Sequence, residues 1–253
     1  MLYRFLVITK FYKNLNKSYD CPKPEKIDIN KLNLKNFDHK NKKEILEEVI
    51  LKSESILNGN LFWYGKEKYY VGRNVNWFLD YKNNVFFQDS KFHWSECNYF
   101  LKGDIKECWE ISRWNWAPIL IRASLLTGKA KYINYLNFLI EDWCINNPVN
   151  CGVNWLCGQE ISIRLINALI TWKLFDNHDE DNYPYLLSNR VEFVAAHLKR
   201  ICLTRFYARA QNNNHWITES AALYIGGSWL MKSKNRYSKK AIYWSEIGKK
   251  QLE

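Results

Sequence analysis

The stretch QNNNHWITES, residues 211–220, places three asparagines, a histidine and a glutamate directly ahead of the apolar run AALYIGG. Asparagine is a weak helix-interior residue because its amide competes for backbone hydrogen bonds. The run therefore marks a helix entrance near Asn214, with Asn214 as the cap and His215 in the first turn. That turn presents free N–H groups and the positive end of the helix dipole, and both favour an anion. Side-chain amide, imidazole and backbone donors converge there on a spot that suits a carboxylate. Asn212 and Asn213 shape the loop before it. Glu219, four residues beyond His215, lies one turn on and can orient the imidazole. A plain helix cap accounts for one asparagine and stands as the structural alternative.

Two further constellations carry charge into apolar helices. Glu110 and Arg113 are three apart in WEISR, and Glu160 and Arg164 are four apart in QEISIR, so each pair shares a helix face. Tryptophans surround both. Charges in apolar surroundings need partners. Each pair is either a buried structural ion pair or the wall of a polar cleft, where an arginine can hold a carboxylate bidentately. In GVNWLCGQE (152–160), Trp155 stands at a helix entrance among small residues. It is either a platform for a sugar ring or a hydrophobic staple. No GxSxG, HExxH, glycine-rich phosphate loop or Rossmann fingerprint occurs. The seven cysteines form no CxxC pair, so no zinc ribbon, metal site or cofactor is expected.

These residues need elements to hold them. Apolar spacing predicts a helix over 42–59 stopped by Gly59, one helix over 108–128 closed by Gly128, and others over 129–147, 155–177, 183–210, 214–232 and 238 to the end. Connections are short, so successive helices should pack antiparallel. Residues 2–16 suggest an interfacial or packing helix, and 17–42 an extended lead-in. Residues 60–100, aromatic and punctuated, suggest short strands and turns. The expected class is mainly α, with an irregular aromatic-rich segment over 1–90 and a helical domain over 91–253.

Twelve tryptophans in 253 residues imply a bulky core or aromatic platforms. A net charge of +11 favours polyanionic partners without choosing among them. A helical nucleic-acid binder would rest on that charge alone, because no nucleic-acid-binding signature accompanies it. The basic run from Lys232 to Lys240 suits a solvated loop between helices. No window is long and apolar enough to span a bilayer, and the N-terminus has no convincing signal peptide.

Taken in order, WE-x-x-R (109–113), NP…GVNW…E-x-x-x-R (147–164) and NNH-x-x-x-E (213–219) make the chain from about residue 90 to 253 resemble the N-terminal domain of the heparinase II/III-like polysaccharide lyases. The resemblance implies an incomplete (α/α) toroid of antiparallel helical hairpins. It also implies a following β-sandwich domain, an acidic polysaccharide or oligosaccharide in the cleft between them, and often a periplasmic location. The implied chemistry is β-elimination: a uronate carboxylate is neutralised, the C5 proton is removed and the C4–O bond breaks. Stabilising the developing charge matters most. Asn214 and His215 take that catalytic role by resemblance, with Asn213, Trp155, Arg113, Glu160, Arg164 and Glu219 around the substrate. A tyrosine is expected as proton carrier. Its segment and the β-sandwich are expected beyond Glu253, so the chain by itself is expected to have little or no lyase activity. The alternatives are a non-catalytic acidic-glycan-binding module, and a toroid glycoside hydrolase that would set Glu110 and Glu160 across an open groove.

Overall fold

The computed structural model describes residues 17–28, 42–87, 90–97, 103–176, 188–232 and 235–253. The helix expected over 2–16 lies outside them. The described chain is mainly helical. Helix α1 spans Lys42–Leu57, α2 Lys106–Ser112, α3 Trp116–Thr127, α4 Ala130–Asn146, α5 Gly158–Asp176, α6 Ser188–Gln211, α7 Asn214–Leu230 and α8 Ser238–Leu252. Strands β1 (Asn60–Trp63) and β2 (Glu67–Tyr70) form an antiparallel hairpin with Asn60 opposite Tyr70. Strands β3 (Leu79–Asp80) and β4 (Val85–Phe86) form a second, shorter one.

The glycine stops act as their chemistry requires. Gly59 and Gly128 sit at φ 81° and 66°, where a side chain would be strained, and Gly128 N–H bonds Ser124 O at 2.8 Å to close α3. The single helix expected over 108–128 is instead two. Pro118 is the reason: in a continuous helix its ring would meet the carbonyl of residue 114, and it has no N–H to offer that carbonyl. The chain turns through Arg113–Asn115 with Trp114 at φ 62°, and Pro118 falls in the first turn of α3, where it is tolerated. The turn lets the fully buried Trp114 pack against Trp116, Trp143 and Phe193. The helix expected from 155 begins at Gly158, after a 3-10 turn over Val153–Trp155.

Helices α1, α3, α5 and α7 form a row in which each touches the next; α4, α6 and α8 pack against members of that row. One core runs through the whole described chain, from Cys21 to Trp244. The lead-in segment joins it through Tyr19, which bridges to Val149, and through Ile27, which exchanges two 2.9 Å hydrogen bonds with the Asn137 amide. Six tryptophans (63, 77, 114, 143, 155 and 172) are entirely buried, so much of the aromatic excess is core.

The connection from Asn147 to Cys157 is held like core. Arg164 of α5 reaches Ser112 O at 3.2 Å, Asn154 O at 3.1 Å and His197 Nε2 at 3.1 Å. His197 accepts that bond, so its Nδ1–H donates to Phe193 O at 2.8 Å, and burial keeps the ring neutral. Arg200 of α6 holds Trp155 O at 3.0 Å and Leu156 O at 2.8 Å. Asn154 Nδ2 donates to Trp77 O and Asn147 Oδ1, both at 2.9 Å. The carbonyls of Asn154, Trp155 and Leu156 are thus given donors from α5 and α6.

Helices α7 and α8 approach backbone to backbone. A Cβ on Gly227 would lie 2.6 Å from Ser245 N and 2.8 Å from Ala241 O, and one on Gly248 would lie 2.6 Å from Ser220 O. Gln251 of α8 accepts a 3.0 Å bond from Ser220 Oγ of α7.

Candidate functional site

Helices α5 and α7 start side by side, because α6 between them runs the chain back the length of the bundle. Asn213 caps α7: its Oδ1 accepts from His215 N–H at 2.9 Å. The cap is therefore Asn213 and not the expected Asn214: Asn214 is already helical, so α7 begins one residue earlier than a cap at Asn214 would place it. Asn214 is left exposed, and its amide donates to Gln159 Oε1 at the start of α5, at 3.3 Å. His215 is half-buried. Its Nδ1 lies 3.6 Å from Glu219 Oε1 and 4.0 Å from the sulfur of Cys157. The ring of Tyr207 meets the imidazole edge-on at 6.3 Å.

Glu219 occupies the space above α5's first residue. A Cβ on Gly158 would fall 2.5 Å from Glu219 Oε1, so only glycine admits the carboxylate there. The Glu219 side chain is 3% exposed, and its Oε2 has no hydrogen-bond partner among the described residues. Burial pushes its carboxyl up, against the opposing pull of His215 and Arg200. The His215 imidazole is pushed up to about 10, first by the Cys157 sulfur and then by Glu219, against the cost of burial. The two shifts favour opposite charge states. His215 is the better carrier of the proton, because at 24% side-chain exposure it keeps more solvation when charged than Glu219 does.

A base whose folded value is raised stabilises the fold fully below its ordinary 6.5 and loses that contribution as pH rises through about 10. His215→Gln is therefore expected to lower stability more at about pH 6 than at about pH 10.5. Urea unfolding of both proteins at the two pH values measures this, and equal losses would remove the pairing.

The second cluster lies at the end of α2. Arg113 binds Glu160 through Nε at 2.5 Å and Nη2 at 2.9 Å, and binds Glu110 through Nη1. Glu110 Oε2 also accepts from Tyr64 N–H at 3.1 Å in the β1–β2 turn. The Glu110–Arg113 pair expected from the sequence is present. The Glu160–Arg164 pair is not: Arg164 points into the core, and Glu160 turns to the guanidinium of another helix. Sequence spacing shows which side chains share a face but not what lies opposite. Glu110 and Glu160 are clamped on one arginine and buried, so they do not face each other across an open groove. Trp155 and Arg164 are both fully buried, which leaves neither a surface for stacking on a sugar ring nor a free fork for a carboxylate.

The residues that sequence reasoning passed over here are Cys157, Gln159 and Tyr207. Cys157 and Gln159 sit inside the stretch 152–160 already singled out around Trp155. Only the side-by-side start of α5 and α7 reveals their part.

Next to His215 in the chain, Trp216 lines a groove of about 350 Å³. Arg205, Phe206 and Arg209 of α6 and Lys250 of α8 line it too. None of these three cations is paired with a carboxylate among the described residues; Arg205 bonds only the Tyr243 hydroxyl, at 2.6 Å, and the Cys202 sulfur. No helix among the described residues is long and apolar enough to cross a membrane. No protein-family model matches the chain, and no curated protein or solved structure matches it either.

Proposed function

We propose that the chain binds an acidic, uronate-containing polysaccharide or oligosaccharide, with Asn214 and His215 holding a sugar carboxylate as the charge-neutralising half of a β-eliminating lyase site. The observation that carries this reading is the start of α7. There an exposed amide and an imidazole held in its charged form stand at a helix N-terminus, beside a groove with three unpaired cations and the aromatic rings of Phe206 and Trp216. Such an end supplies hydrogen bonds and a positive potential to an anion. The flanking aromatic and cationic side chains suit the apolar face and the charge of an acidic sugar. Arg113, already clamped between Glu110 and Glu160, supports the loop in this reading and does not take the carboxylate. The row of paired helices supports a toroid-like scaffold for the cleft.

Holding the carboxylate makes the C5 proton easier to remove, since the charge that develops on its loss spreads onto the carboxyl oxygens. The edge-on contact of Tyr207 with His215 supports Tyr207 as the proton carrier in this reading, in place of the tyrosine expected beyond Glu253. Calorimetric titration with uronate oligosaccharides of heparan-like and alginate-like type tests the reading. Binding is expected for at least one of them and for none after carboxyl reduction. Asn214→Ala and His215→Ala are each expected to weaken it about 10-fold or more, the scale of one charge-assisted hydrogen bond. Undiminished binding by both variants would overturn the assignment. New ultraviolet absorbance from an unsaturated uronate, lost in Tyr207→Phe with binding retained, would extend the reading from binding to catalysis.

A further inference from the structure

We propose that Cys157 is a nucleophilic thiol, paired with His215, and is a covalent modification site for soft electrophiles and small disulfides at the mouth of the α5–α7 site. The proposal stands on the Cys157–His215 geometry and holds whether or not a glycan binds. None of the seven cysteines is in a disulfide. Cys21, Cys97, Cys108, Cys144 and Cys151 are buried, and only Cys157 and Cys202 are partly exposed. Burial pushes the thiols of Cys108, Cys144, Cys151 and Cys202 up, which makes them poor nucleophiles.

Cys157 differs in three respects. Its sulfur lies 4.0 Å from His215 Nδ1. Its carbonyl accepts the first helical hydrogen bond of α5, from Ile161 N–H at 3.1 Å, so the sulfur stands at the N-terminus of a 19-residue helix. And the adjoining Glu219 is a buried carboxylate with one oxygen unpartnered. An imidazole 4.0 Å away and a helix N-terminus both stabilise negative charge that develops on the sulfur as it attacks. The charged groups facing this spot are His215 and Glu219 from α7, Arg113 from α2, Glu160 from α5 and, beyond Glu219, Arg200 from α6. Arg113 is taken up by Glu160 and Glu110, which leaves His215 as the cation that acts on the sulfur.

With a small disulfide the step balances without another reactant. The Cys157 thiolate attacks one sulfur, a new S–S bond joins it to that half, and the old S–S bond breaks. The other half leaves as a thiolate and takes up the proton released by the Cys157–His215 pair. Cys157 is oxidised and the leaving half reduced, and a small thiol reverses the exchange. The added group sits against the imidazole edge that Glu219 also uses, so modification closes the anion site at His215.

The test is timed labelling of the full chain with iodoacetamide at neutral pH, with the sites quantified by peptide mass spectrometry. Cys157 is expected to react about 5- to 10-fold faster than Cys202. His215→Gln is expected to bring the two rates together while the circular dichroism of the fold is kept. Oxidised glutathione should add a single mixed disulfide on the Cys157 peptide, released by dithiothreitol. Unfolding of the variant would show as simultaneous labelling of all seven cysteines, in which case the wild-type comparison decides. Cys157 reacting no faster than Cys202 in the wild-type chain, or no mixed disulfide on Cys157, overturns the proposal.

Discussion

Arg164→Met is expected to destabilise the fold by about 3–5 kcal/mol. Replacing a buried ion pair by apolar residues is often harmless when both charges leave together. Here no carboxylate leaves with the arginine. Its guanidinium serves two carbonyls, Ser112 O and Asn154 O, and the Nε2 atom of a neutral histidine, and all three stay buried after the substitution. Each abandoned acceptor costs about 1–3 kcal/mol, and the packing that methionine regains offsets only part of it. The lost stacking on Trp143, whose ring lies 4.4 Å from the guanidinium carbon, adds to the deficit. Burial already pulls this guanidinium down to about 10, so it remains charged at neutral pH. Urea unfolding checks the expectation: the midpoint falls and the slope is unchanged. A loss below about 1 kcal/mol would mean that the loop carbonyls find other donors.

Gly248→Ala is the second large effect. Alanine is the better helix former by about 1 kcal/mol, and on an exposed surface the change would stabilise α8. At this position the methyl group would press on the backbone of α7, at Ser220 O and Tyr224 N, and backbone cannot turn aside as a side chain can. Overpacking of this kind costs about 1–3 kcal/mol and exceeds the propensity gain when the obstacle is main chain. A melting temperature lower by roughly 2–4 °C for each kcal/mol lost is expected for a domain of this size. Because Lys250 lies two residues on and lines the groove beside Trp216, the proposed uronate binding is expected to weaken in parallel. An unchanged or raised melting temperature would show that α7 and α8 have room between them. Gly227→Ala, facing Ser245 N and Ala241 O, provides an independent second substitution at the same contact.

Much of the helical layout was legible because it rests on local rules. Gly59 and Gly128 stop helices where left-handed backbone is needed, and NNN before His215 announces a helix start. The break at Trp114 was legible in principle, since Pro118 forbids the bond that would have joined α2 to α3. It was hidden by apolar periodicity that continues across the break. The choice of partners was not legible. Glu160 has an arginine four residues away on its own helix and takes another 47 residues back in sequence. Trp155 stands among small residues that left it open between a sugar platform and a hydrophobic staple; in the fold Arg200 draws its carbonyl inward and the ring is sealed against Trp143 and His197. The site shows the same division. The residues starting α7 declare themselves by type, whereas Cys157 and Gln159 acquire meaning only when α5 is laid beside them.

The carbonyls of the loop before α5 wait for donors that come much later in the chain. Trp155 and Leu156 are bound by Arg200, 45 and 44 residues on, and the sulfur of Cys157 meets His215 58 residues on. A chain leaving a ribosome N-terminus first can form α3 and α4 early from neighbouring contacts. It cannot fix the position of Cys157 until α6 has emerged and folded back, and cannot complete the pair until α7 has followed. The scaffold is therefore assembled before the pair: Cys157 and His215 remain apart while α3, α4 and α5 form, and meet only after α6 and α7 have folded back.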